Sequence, residues 1–331
     1  MTADSLSEPV PSLMVSSLST SFMTPAGPIV AVDGIDFDVG VGEVVGLVGE
    51  SGSGKSVTLR SLLGLIRPPG TVAGRVLWQG RNLLELSEER LRLVRGREIA
   101  LIFQEPMTAL NPVLTIGQQI RENLAAHTDL GSGQRRARAI ELMQLVGIPS
   151  AQRRIEDYPH QFSGGMRQRV MIAIALASHP RLLLADEPTT ALDVTIQDQI
   201  LKLILRLRRD FDMSVLLVTH DLGVVAQTCD RLAVMYAGRI VETGAVAEVF
   251  RRPAHAYTQG LLRSVPSGRG QRERLQAISG QPPSLAALPP GCAFAPRCSY
   301  RTEACERARP SLVAVAPSRH SACIHHASIV P

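Results

Sequence analysis

The stretch Gly49, Glu50, Ser51, Gly52, Ser53, Gly54, Lys55 and Ser56, followed by Val57, combines glycines, a lysine and hydroxyls in a pattern suited to phosphate. Gly49, Gly52 and Gly54 permit backbone conformations closed to other residues, so that successive N–H groups converge on an anion. Lys55 would reach the β- and γ-phosphates of a nucleotide, and the Ser56 hydroxyl would ligate Mg²⁺. A plain Gly/Ser turn is the alternative. Against it, Lys55 is one of only two lysines in the chain, the other being Lys202. About 130 residues later, Asp186 and Glu187 end the apolar run Leu182 to Ala185. Nucleotide hydrolysis needs one carboxylate to hold Mg²⁺ and another to polarise water, the roles assigned here to Asp186 and Glu187 respectively. Gln104 and His220 each follow an apolar run, where γ-phosphate, Mg²⁺ and attacking water would sit. Ser163, Gly164 and Gly165, leading into Met166-Arg167-Gln168, form a second anion-binding design ahead of a helix expected over residues 169–177.

These residues need strands and helices to hold them. Glu43 to Val48 reads as the strand before the loop, and Lys55 to Leu65 as the helix after it. Met14 to Leu18 and Ile29 to Val39 read as an antiparallel pair around the Pro25–Pro28 break, with Phe22 inside the break. Phe22 is there either an adenine-stacking ring or core. Residues 75–77 and 99–103 supply further strands, and residues 106–177 read as a helical insert. Leu182 to Ala185 is wholly apolar, as in a strand buried on both faces of a parallel sheet. Ser214 to Thr219 repeats the design, and between them Ile196, Ile200, Leu203, Ile204 and Leu207 recur at helical spacing. Alternating strand and helix means a mostly parallel α/β sheet. Arg231–Tyr236 and Arg239–Glu242 read as a closing hairpin.

The chain has 331 residues, 45% of them apolar, with a formal charge of +5. That length suits one large domain and something smaller. The arginine pairs at 135–136, 153–154 and 208–209 are short clusters on mixed segments, which argues against nucleic-acid binding. No apolar stretch approaches the ~18 residues of a membrane span, and the first residues lack a signal peptide's basic and apolar regions, so a cytoplasmic chain is expected.

Taken together, these motifs resemble the ATP-binding subunit of an ABC transporter. The resemblance implies that Gly49–Ser56 is Walker A, Gln104 the Q-loop, Ser163–Gln168 the signature, Leu182–Glu187 Walker B, Ala191-Leu192-Asp193 the D-loop and His220 the switch histidine. It favours adenine stacking for Phe22. It also implies a P-loop NTPase fold of ABC type, with a parallel core, an antiparallel β region and a helical subdomain. Two such domains would pack head to tail, with ATP and Mg²⁺ held between Walker A of one and the signature of the other. Met166 stands where many members have Gln, which leaves the phosphate contacts intact.

The sequence after the core narrows the resemblance. Arg251-Arg252-Pro253, His255-Ala256-Tyr257-Thr258, Ser264-Val265-Pro266 and Pro290-Gly291-Cys292 through Pro296-Arg297-Cys298 are similar to the C-terminal extension of dipeptide, oligopeptide and nickel importer ATPases. Ala256 departs from the proline usual there. The implied division is an ATPase domain over 1–265, with its helical part near 106–177, and an extension over 266–331. Implied partners are a related but distinct second ATPase subunit, two transmembrane permeases and an extracytoplasmic substrate-binding protein. The implied location is the cytoplasmic face of the inner membrane.

Of five cysteines, four lie in the last forty residues: Cys292, Cys298, Cys305 and Cys323. Four thiols in a reducing compartment argue for metal over disulfides, either Zn²⁺ or an iron–sulfur cluster. The resemblance favours a [4Fe-4S] cluster. Cys229 is expected to pack in the core. A soluble ABC-type ATPase acting on ribosomes or DNA is the competing function. Only one phosphate loop occurs, where ribosome-acting members usually carry two, and no coiled coil separates residues 56 and 163.

Overall fold

The computed structural model describes residues 12–190, 192–265 and 277–329. Ala191 of the expected D-loop lies outside them. The strands are β1 (Leu13–Thr24), β2 (Gly27–Val39), β3 (Val44–Val48), β4 (Gly70–Trp78), β5 (Arg81–Asn82) and β6 (Ile99–Ile102). They continue with β7 (Leu182–Asp186), β8 (Ser214–Thr219), β9 (Arg231–Tyr236), β10 (Arg239–Ala245), β11 (Val313–Ala316) and β12 (Arg319–Ser321).

Two sheets result, one of four strands in the order β2-β1-β4-β5 and one of eight in the order β11-β12-β10-β9-β3-β8-β7-β6. In the larger sheet β6, β7, β8, β3 and β9 run parallel. Strands β3, β7 and β8 are buried at every position. Such strands have no polar face because helices or the second sheet cover both sides. The C-terminal ends of β3 and β7, together with the turns that follow β6 and β8, therefore meet at one edge, where a parallel sheet gathers its ligands.

The helical insert is built from Ile116–His127, Ser132–Leu145 and Gly164–Ala175 as its longer helices. Thr115 opens the first with a capping box, accepting from the Gln118 backbone N–H while Gln118 returns a bond to Thr115. Ile116, Ile120, Leu142, Met143 and Val170 pack into one core with Ile102, Ala185 and Leu217 of the sheet. The insert is thus a lateral continuation of the sheet's core.

Three expectations are corrected. Phe22 does not interrupt two strands: β1 runs on to Thr24, and Phe22 pairs with Ile29 on one side and Gly70 on the other. The polar run around it hid the strand, but β1 is central, so a ladder on both sides holds it. The helix after Lys55 ends at Leu62, before Gly64 at φ +61°. The signature helix begins at Gly164, five residues earlier than expected, because the Ser163 hydroxyl caps it by accepting from the Met166 N–H at 3.4 Å.

The cysteine-bearing tail also joins the main sheet. Strand β12 pairs antiparallel with β10, Glu242 opposite Ser321 and Thr243 opposite His320, and β11 forms the edge. Behind this junction Arg319 donates to Glu242 at 2.8 Å, with side chains 9% and 0% exposed. Glu242 also accepts the backbone N–H groups of Ala254 and His255 at 2.8 and 2.9 Å. Burial pushes its carboxyl above the usual range, while Arg319, the Ala254 N–H and Thr258 pull it back. No helix among the described residues is long and apolar enough to cross a membrane.

Candidate functional site

The phosphate loop joins β3 to the helix Lys55–Leu62 and is wedged between β2 and β9. A side chain at Gly49 would lie 2.1 Å from the Met235 carbonyl oxygen. At Gly54, with φ +107°, it would lie 2.4 Å from that of Ala31. Only glycine lets the chain pass here. Lys55 is 5% exposed, and burial lowers its pKa. Its Nζ donates to the carbonyls of Gly49 and Glu50 at 2.8 and 2.9 Å. Ser51 and Gly52 are exposed at the tip, Val57 is half-buried, and the buried Ser53 hydroxyl has no hydrogen-bond partner among the described residues.

Asp186 ends β7 beside this loop, and the Ser56 hydroxyl donates to its Oδ1 at 2.8 Å. Burial raises the Asp186 carboxyl, with the Ser56 bond opposing. A hydroxyl and a carboxylate at the mouth of a phosphate loop are the hard oxygen donors that Mg²⁺ takes alongside phosphate. The donor set therefore fits that ion.

Glu187 follows at φ +45°, with its N–H bonded to the Val218 carbonyl at 2.9 Å, so the chain turns sharply as the strand ends. Its side chain is 12% exposed. One oxygen, Oε2, collects three partners: Thr190 Oγ1 at 2.8 Å, His220 Nδ1 at 3.1 Å and Gln104 Nε2 at 3.2 Å. Gln104 and His220 thus meet through Glu187. Gln104 bonds Glu187 here and makes no hydrogen bond to the Ser56–Asp186 pair. Thr190 is the residue the sequence reading missed. Its signal was the three-residue spacing from Glu187, which lets a turn after the strand fold the hydroxyl back onto the carboxylate.

Other expected residues lie apart from this cluster. Ser163 and Gly164 are exposed, and among the described residues neither they nor Gly165 hydrogen-bond the phosphate loop. Asp193 accepts from the Ile196 N–H at 2.9 Å and caps the helix Val194–Asp210. The half-buried Phe22 ring lies beside Gly70, where an added side chain would meet both it and Ile66.

Cys292, Cys298, Cys305 and Cys323 line one small apolar cavity with His255 and Phe294. Burial raises the thiols of Cys292 and Cys298, and that of Cys323 to about 11. Backbone N–H groups of Phe294 and Ala295, of Tyr300, and of His325 and Ala256 oppose this at the three sulfurs in turn. Among the described residues no three His, Cys, Asp or Glu side chains form a group that could hold a metal ion. Cys229 packs in the core, its thiol pushed up to about 12 by burial.

A parallel sheet with a glycine loop, a paired Ser–Asp and a clustered Glu–His–Gln at one edge is the architecture of a nucleotide hydrolase, and comparison with known proteins gives the family. The chain belongs to the ABC transporter family of ATPases: residues 32–190 match the ABC transporter model, and residues 241–305 match the oligopeptide/dipeptide transporter C-terminal region. It is 50% identical over 313 residues to the oligopeptide transport ATP-binding protein AppD of Bacillus subtilis, covering 94% of this chain and 95% of that protein. Among solved structures it is similar to the ATP-binding cassette MJ0796, in a dimeric post-hydrolysis state bound to ADP and Pi. That likeness has a TM-score of 0.64 at 28% identity, over 71% of this chain and 98% of that one. It is also similar to cbiO1 of Clostridium perfringens, part of the ABC transporter complex cbiONQ, with a TM-score of 0.61 at 28% identity over 72% and 90% of the two chains. The fold is that of an ABC-type P-loop ATPase.

Proposed function

We propose that this chain hydrolyses ATP to drive peptide import through a membrane complex. The observation that carries the substrate class is the pairing of an ABC cassette with an oligopeptide/dipeptide transporter C-terminal region in one chain, with half of its residues identical to those of an oligopeptide transport ATPase.

In this reading Gly49–Val57 wraps the phosphates and Lys55 exchanges its bonds to Gly49 and Glu50 for phosphate oxygens. Ser56 and Asp186 hold Mg²⁺, with Gln104 reaching it when nucleotide is bound; the ion neutralises phosphate charge. Glu187 takes the proton of the attacking water. The three donors on its Oε2 orient it, leaving the other oxygen for water. His220 would face the γ-phosphate, and Phe22 would stack on adenine. Ser163 and Gly164 are exposed and Gly165 is half-buried behind them at the start of their helix, which supports their contacting ATP held by a second, related ATPase subunit; Asp193 would lie at that interface. Closure stores ATP contacts as differential binding energy, and hydrolysis removes the phosphate that holds the dimer shut.

Two transmembrane permeases would dock at the cleft of about 330 Å³ between sheet and insert, lined by Leu101, Phe103, Leu110 and Ile174. Phe103 is exposed within that lining, and Met107 and Val113 are exposed in the segment that follows it in sequence. A substrate-binding protein outside the membrane would deliver peptide, with this chain peripheral on the cytoplasmic face and residues 1–265 and 266–331 as ATPase and extension.

The four-cysteine cavity supports a [4Fe-4S] cluster in the extension. The four thiols line one cavity, and the resemblance to peptide-importer ATPases favours a cluster there over Zn²⁺. Backbone N–H bonds to sulfur stabilise thiolate ligands. Such a cluster would tie the tail's loops together. Iron and sulfide analysis of anaerobically purified protein should return about four of each per chain; absence of both iron and zinc would refute a metal site.

The catalytic reading is tested by Glu187→Gln. Turnover should vanish while ATP still drives the chains into a stable dimer, seen by size-exclusion chromatography. Undiminished hydrolysis would refute Glu187 as the base.

A further inference from the structure

Arg297, from the extension, lies between two cavity cysteines in sequence yet reaches the second residue of the phosphate loop. Its guanidinium forks onto Glu50, with Nη1 to Oε2 at 2.7 Å and Nη2 to Oε1 at 3.0 Å. The remaining donors are also used: Nε donates to the Ser279 carbonyl at 3.0 Å, Nη1 to the Tyr236 hydroxyl at 3.3 Å and Nη2 to the Ile278 carbonyl at 3.5 Å. The Arg297 side chain is 5% exposed and packs between the rings of Tyr236 and Phe294, 5.9 and 5.8 Å from their centroids. An arginine with every donor used, buried between two rings, has one geometry available.

Glu50 is held at its backbone too. Its N–H donates to the Tyr257 hydroxyl at 2.7 Å, and Tyr257 packs against Tyr236 and Phe294 with centroids 4.5 and 5.4 Å apart. Its carbonyl accepts Lys55 at 2.9 Å. When Lys55 turns to phosphate, its bond to that carbonyl is released, and Glu50 is still held by the Ser53 N–H at 3.3 Å on its carbonyl, by Tyr257 and by Arg297. Glu50 also places a carboxylate beside the loop that must take a polyanion. Unpaired, it would repel phosphate; forked onto Arg297, it is neutralised.

We infer that Arg297 is a positioning residue for the ATP site: through Glu50 it fixes the phosphate loop and cancels a local negative charge, so that the C-terminal extension sets ATP affinity. The inference rests on the assignment of Gly49–Ser56 as the ATP loop. Cys292 and Cys298 bracket Arg297, so whatever orders their cavity also orders this grip, and loss of that order lowers ATP affinity in the same molecule.

The test uses the full chain, Mg²⁺ and a fluorescent ATP analogue, with turnover measured in the assembled transporter. Arg297→Met should weaken binding about tenfold and raise KM for ATP, with kcat at saturating ATP near the unaltered value. Adding Glu50→Gln to Arg297→Met removes the stranded carboxylate and should recover part of the loss; a loss equal to or greater than that of Arg297→Met alone would overturn the inference. Should Arg297→Met not fold, Arg297→Lys keeps the charge and loses the fork, and its binding should still weaken. Unchanged affinity in either folded variant overturns the inference alone. Failure of the unaltered chain to bind ATP would overturn the loop's assignment with it.

Discussion

Glu187 concentrates the chemistry on one oxygen. Donors from three segments, the turn after β6, the turn after β7 and the residue after β8, converge on Oε2, so the carboxylate is oriented before substrate arrives. Thr190→Val removes the shortest of these bonds while keeping the side chain's shape. We expect kcat to fall about tenfold with ATP binding unchanged, measured by steady-state hydrolysis alongside nucleotide titration; an unchanged kcat would remove Thr190 from the orienting set. Of these residues, Glu187, Gln104 and His220 were legible because each closes an apolar run. Thr190 was not, since its three-residue spacing from Glu187 becomes a signal only once the turn's direction is known. Phe22 shows the opposite failure: its aromatic ring was noticed, but a polar-flanked strand was mistaken for a break.

At the scale of elements, the sheet was legible where strands are buried on both faces, because β3, β7 and β8 carry unbroken apolar runs between the loops that hold the chemistry. The β11–β12 hairpin was not legible. It is short, lies at an edge, and owes its place to pairing with β10 some 77 residues earlier, as in the Arg319–Glu242 bond. Such nonlocal pairing leaves no periodicity in so brief a segment. The bond locks the junction. Arg319→Met leaves Glu242 buried without its cation and should cost about 3 kcal/mol of unfolding free energy, read from urea denaturation. Pairing it with Glu242→Leu should recover most of that loss, and an equally unstable double variant would show that the ion pair is not what holds the hairpin.

For the whole molecule, the proposed pairing with a second ATPase subunit rests on two candidate anion-binding segments, the phosphate loop and the segment from Ser163. The phosphate loop ends in a lysine that bonds its own carbonyls, whereas Ser163 and Gly164 face outward at the start of their helix. Hydrolysis by this chain alone should therefore be slow and should rise when the related ATPase subunit is added, while nucleotide binding per chain stays constant. A full rate without that subunit would mean that this chain suffices. The extension belongs in this picture as well, because its arginine reaches the loop that opens the nucleotide site.

The most direct test of the central claim joins ATP hydrolysis to transport. The transporter containing this chain would be reconstituted in vesicles with its binding protein and a labelled oligopeptide, and uptake followed with ATP supplied on the side of the ATPase subunits. Peptide should accumulate with the unaltered chain and stop with Glu187→Gln, although that variant still binds ATP. Peptide uptake that continues undiminished with Glu187→Gln, or that proceeds without ATP, would contradict the account.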